Sequence, residues 1–94
     1  MSYAAAVLRV LAEEFPTEMG SPVTTQIISD AVARQADQGS EHFEVIIDDP
    51  ILANWRLKAD RQDPRRVRLA CCRLRVSLAD QEREKRINTV LAAI

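Results

Sequence analysis

In two stretches, residues 51–59 and 66–78, side chains alternate with a strand-like period that sets the cations against apolar residues, and nothing else in the chain restricts its fold as much. Wound as a helix, residues 66–78 would put Val67, Cys71, Leu74 and Leu78 on one face but leave Leu69, Cys72 and Val76 among the arginines. Drawn out as a strand, Val67, Leu69 and Cys71 point one way. A one-residue slip at Cys71-Cys72, a β-bulge, then brings Cys72, Leu74, Val76 and Leu78 to the same side and sends Arg66, Arg68, Arg73 and Arg75 to the other. The strand accounts for every large side chain here and the helix does not.

The preceding residues repeat the pattern. Ile51, Ala53, Trp55, Leu57 and Ala59 alternate with Leu52, Asn54, Arg56 and Lys58, and Phe43, Val45 and Ile47 form a shorter run of the same period. A loop of Asp48, Asp49 and Pro50 would pair Ile47 with Ile51, Val45 with Ala53 and Phe43 with Trp55, all facing one core. A longer turn through Arg61–Arg65 would join the second strand to the third and set Lys58 opposite Arg68.

The flanks have helical period. Ala4, Val7, Leu8, Leu11 and Phe15 recur at helix spacing until Pro16 stops the run. Ser21 is placed to cap a second helix with Pro22 at its first position, carrying Val23, Ile27, Ile28, Ala31 and Val32 and fading near Gln38-Gly39-Ser40. It reads as one continuous helix, so no helix-turn-helix precedes the hairpin. Ser77 followed by Asp80 resembles a capping box for a last helix, in which Glu82–Arg86 is a solvated charge run and Ile87, Val90, Leu91 and Ile94 an apolar stripe. The expected fold is α+β over one domain, residues 1–94: two N-terminal helices, a three-stranded antiparallel meander and a C-terminal helix. Helical structure over 49–78 would make it an all-α bundle instead.

Charge is segregated along the chain. Residues 1–50 hold two cations against nine anions, a net −7, and residues 51–76 hold eight cations against two anions, a net +6. The remainder balances, and the whole chain carries −1. On the strand reading Arg56, Lys58, Arg66, Arg68, Arg73 and Arg75 share one sheet face, with Arg65 at the hairpin tip. Arginine in such a cluster grips phosphate or carboxylate through two parallel bonds. The face suits nucleic acid or an acidic protein surface, and neutralisation by Glu44 and Asp48 of the first strand is the structural counterpart.

Other chemistry finds little material. The sole histidine, His42, stands among Glu41, Glu44, Asp48 and Asp49 but points away from the expected core as a surface residue. One histidine and two adjacent cysteines make no zinc pattern. Cys71 and Cys72 lack an acid–base partner and read as small apolar residues, and Trp55 shares the core phase of Ala53 and Leu57. Gly20 and Gly39 are the only glycines, too few for a phosphate-cradling loop or a dinucleotide fingerprint. No enzyme activity, cofactor or metal is expected. Ala4–Leu8 follows no basic segment and gives way to Arg9, Glu13 and Glu14, unlike a secretory leader, so the expected setting is cytoplasmic and away from membranes. The expected function is regulatory, inhibitory or adaptor binding through the cationic segment 56–75. The acidic N-terminal helices are a second candidate surface for a protein partner, and the C-terminal stripe is a candidate seam for a homo-oligomer.

Overall fold

A computed structural model describes residues 2–38, 44–46 and 54–94. Helix α1 spans Tyr3–Glu14, a short 3₁₀ turn Glu18–Gly20, helix α2 Pro22–Gln38 and helix α3 Leu78–Ala92. Strands β1 (Glu44–Ile46), β2 (Trp55–Ala59) and β3 (Val67–Cys71) lie side by side in that order, each antiparallel to its neighbour. The class is α+β, and strands at 55–59 and 67–71 replace the all-helical alternative there.

Local chemistry explains the helix ends. The Ser2 hydroxyl accepts from the Ala5 N–H at 3.1 Å and starts α1. Pro16 forces Phe15 out of the helical region, and α1 stops there, with the Phe15 N–H still donating to Leu11 O. Pro22 opens α2 at the position where a missing N–H is harmless. Ser77 caps α3 as its sequence suggests, accepting from the Asp80 N–H at 3.1 Å.

The core gathers Val7, Leu11, Phe15, Met19, Ile28, Val32, Trp55, Leu57, Val67, Leu69, Ile87 and Leu91, drawn from all three helices and from β2 and β3. Trp55 is fully buried and meets Phe15 edge to face at 5.6 Å. Of the C-terminal stripe, Ile87 and Leu91 are buried in this core, while Val90 stays exposed.

Four expectations are corrected. Val45 lies opposite Leu57 rather than Ala53, a shift of four positions that keeps the same strand parity. The proposed loop Asp48-Asp49-Pro50 and the partners Phe43, Ile47, Ile51 and Ala53 lie outside the described residues, as does His42. Strand β3 ends at Cys71 without continuing through a bulge to 78, because the capping of α3 at Ser77 draws the chain away. Cys72, Leu74 and Leu78 are accordingly exposed instead of inward. On α2, Val23 and Ile27 face outward, since at about 100° per residue they lie on a different stripe from Ile28, Val32 and Gln35.

The outer edge of β3 is closed by side chains. Asp60 N–H donates to Arg66 O and Cys72 N–H to Asn54 O at the two ends of the β2–β3 pair. The even-numbered residues of β3 therefore bond to β2, and Val67, Leu69 and Cys71 turn their peptide groups outward. Tyr3 Oη accepts from Val67 N–H at 2.8 Å. Asn88 accepts from Leu69 N–H at 2.7 Å and donates to Leu69 O at 2.8 Å. Glu84 accepts from Cys71 N–H at 3.1 Å. An edge satisfied in this way is no template for another strand.

Candidate cationic interface

The hairpin register decides where the cations stand. Lys58 lies directly opposite Arg68 as expected, and Arg56 lies opposite Ala70 one row along. Trp55, Leu57, Val67 and Leu69 fill the core face, so Arg56, Lys58 and Arg68 occupy the other, all three half-buried. Like charges directly opposite destabilise a sheet by a few tenths to about 1 kcal/mol. The Cα register adds Glu44 across from Lys58, on the side away from Arg68. The Nε of Arg68 is enclosed and has no hydrogen-bond acceptor among the described residues.

The other cations divide. Arg66 leaves the face altogether: its guanidinium lies 5.9 Å from the centre of the Tyr3 ring, pairs with Asp63 at 3.5 Å and donates to Leu91 O at 3.3 Å, near the C-terminus of α3. A cation there complements the helix dipole and satisfies an end carbonyl. Arg73 pairs with Asp80 at 3.1 Å, fastening the β3–α3 connection to the first turn of α3. Arg65 is exposed on the β2–β3 turn, and Arg75 is exposed in the β3–α3 connection. That turn is built by carboxylates. Asp60 accepts from the N–H groups of Gln62 and Asp63, and Asp63 from that of Arg65. Gln35 of α2 donates to Pro64 O and holds the turn against the helices. Of the six cations that the alternation assigns to one sheet face, the structure keeps Arg56, Lys58 and Arg68 together, presents Arg75 on the β3–α3 connection and uses Arg66 and Arg73 internally, while Arg65 is exposed on the β2–β3 turn.

The acidic half is partly absorbed too. Glu14 receives both Arg86 (2.6 and 2.8 Å) and Arg83 (3.6 Å), clamping α1 to α3. The Arg86 hydrogen bond holds the Glu14 carboxyl below the usual range, and the same bond raises Arg86. Burial pushes the Tyr3 phenol up, although its bond to Val67 works against the shift.

Cys71 and Cys72 are free thiols, and among the described residues no three His, Cys, Asp or Glu side chains gather to hold a metal. No described helix is long and apolar enough to cross a membrane. Compared with known proteins, the chain matches no family model, no curated protein and no solved structure.

Proposed function

We propose that this protein is a non-enzymatic binding module, regulatory, inhibitory or adaptor in role, that grips an acidic segment of a protein partner with Arg56, Lys58 and Arg68. The observation that carries the reading is the Lys58–Arg68 pair, two half-buried cations directly opposed on one sheet face. A carboxylate placed between them relieves the repulsion. The cluster is small, which favours one or two carboxylates over the long run of phosphates of a nucleic acid. The net charge of −1 and pI near 5.8 favour a protein partner in the same way, since nucleic-acid-binding domains are commonly basic overall. The reading places the protein in the cytoplasm, where the free Cys71 and Cys72 thiols remain reduced.

Affinity purification from the native host, with and without nuclease, tests it. The partner should survive nuclease treatment and be lost from a Lys58→Ala/Arg68→Ala variant that retains its circular dichroism. Loss of the partner on nuclease treatment assigns the face to nucleic acid. Retention by the double variant removes the face from the function.

A further inference from the structure

Four of the five exposed large apolar side chains among the described residues form two pairs, each spaced by four positions. Leu74 and Leu78 flank the start of α3, 106% and 70% exposed, and Val23 and Ile27 lie along α2, 69% and 50% exposed. The two pairs carry opposite charge. Exposed Arg75 follows Leu74, and exposed Asp30 lies one turn beyond Ile27, with Gln26 donating to its Oδ1 at 2.8 Å.

The leucines are presented, not dangling. The connection that carries Leu74 is fastened on one side by the Cys72 N–H to Asn54 O bond at 2.6 Å and on the other by the Arg73–Asp80 pair and the Ser77 cap. A backbone held in place loses little freedom on binding, which helps a small apolar anchor become effective.

We propose that the 72–78 segment of one copy docks on the α2 face of a second copy, with Leu74 and Leu78 covering Val23 and Ile27 and Arg75 meeting Asp30. The second copy is the occupant because it supplies what each patch lacks: an apolar pair of matching size and a charge of opposite sign. The near-zero net charge of the chain puts little general repulsion in the way. Two copies of the same patch would bring Arg75 against Arg75 or Asp30 against Asp30, so the contact joins unlike surfaces. It uses neither Lys58 nor Arg68 and stands apart from the binding role proposed above.

Unlike surfaces predict complementation, which sedimentation of the full chain over micromolar to millimolar concentration can read. The wild type should associate by mass action, and Leu74→Ser or Ile27→Ser alone should weaken association about tenfold or more. Mixed in equal amounts, the two variants should form a dimer that neither forms alone. One keeps a working α2 face and the other a working Leu74. Arg75→Asp and Asp30→Arg repeat the test at the charge pair: each weakens association and mixing restores it. A wild type that stays monomeric throughout, or variants that do not complement while each retains the wild-type circular dichroism, overturns the proposal.

Discussion

Asn88 is the residue whose removal should disclose most about how this fold closes. Its amide acts as a substitute peptide group, satisfying both the N–H and the C=O of Leu69 at 2.7 and 2.8 Å on the edge of β3 that no strand among the described residues covers. Asn88→Ala leaves both groups of Leu69, itself fully buried, without a protein partner. An unsatisfied buried polar group costs about 1–3 kcal/mol. Asn88 is half-buried, so water reaches the vacated place in part, and the lower half of that range applies to each group. The loss should total about 2–4 kcal/mol, a large share of the roughly 5–15 kcal/mol that holds a small domain together. Urea denaturation measures it. Hydrogen exchange locates it: the Leu69 amide should lose more protection than that of Ala70, which faces β2. Asn88→Asp sharpens the test. A carboxylate still accepts from Leu69 N–H but faces Leu69 O with no donor, and protonation restores the donor. The deficit of Asn88→Asp should therefore shrink as pH falls through its carboxyl pKa, and that of Asn88→Ala should not. A loss under about 0.5 kcal/mol for Asn88→Ala, the range of an unremarkable surface change, refutes the reasoning.

Two further perturbations bear on the helices. Glu14→Gln should lower stability by about 1 kcal/mol near neutral pH, because Arg86 and Arg83 are partly exposed and screened. The Glu14 pKa is depressed in the folded chain, so its contribution is present above the ordinary glutamate range and lost as pH falls through the folded value; melting curves of Glu14→Gln and wild type should converge in acid. Tyr3 is the only tyrosine, so the phenolate absorbance reports it alone. It should titrate above an exposed tyrosine in the folded protein and at the ordinary value in urea. The stability linked to its neutral form is present below the unfolded value of about 10 and is lost as pH rises through the folded one. Tyr3→Phe should remove that alkaline dependence and cost about 1 kcal/mol through the orphaned Val67 N–H.

The parts of this fold legible in the sequence are those fixed by neighbours along the chain. Ser77, Pro16 and Pro22 mark helix ends by chemistry that acts within one turn, and the alternation through Trp55, Leu57, Val67 and Leu69 carries the hairpin and its Lys58–Arg68 pairing. Val23 and Leu74 show where that logic fails. Period identifies a face without saying whether anything packs against it, and both side chains meet solvent. Glu84 shows the complementary failure. Within the run Glu82–Arg86 it reads as a solvated charge, yet it completes the Cys71 peptide. The cationic site was legible as a count of charges and not as a place. Arg66 shares the phase of Arg68, and Arg73 would share it only after the slip that the sequence suggests; α3 offers Leu91 O to one and Asp80 to the other.

Those contacts with α3 follow one geometric rule. From Arg73 to Cys71 to Leu69 the chain retreats two residues at a time, while their partners Asp80, Glu84 and Asn88 advance by four. Two residues of strand rise about 6.6 Å and four residues of helix about 6.0 Å, so a helix running antiparallel to a strand keeps step with it for several contacts. Helix α3 thus stands beside β3 in the place of a further strand, with one stripe of side chains doing the work of a backbone. The next position on that stripe is Ala92, which has no polar side chain to offer, and at that level the Val67 N–H donates to Tyr3 Oη of α1 instead. Arg66 completes the match by reaching back to Leu91 O, so the two arginines that bracket β3 secure both ends of the helix that closes its edge. Lys58 and Arg68 stay opposed on the far face of the sheet, and that pair is what the proposed acidic partner would meet.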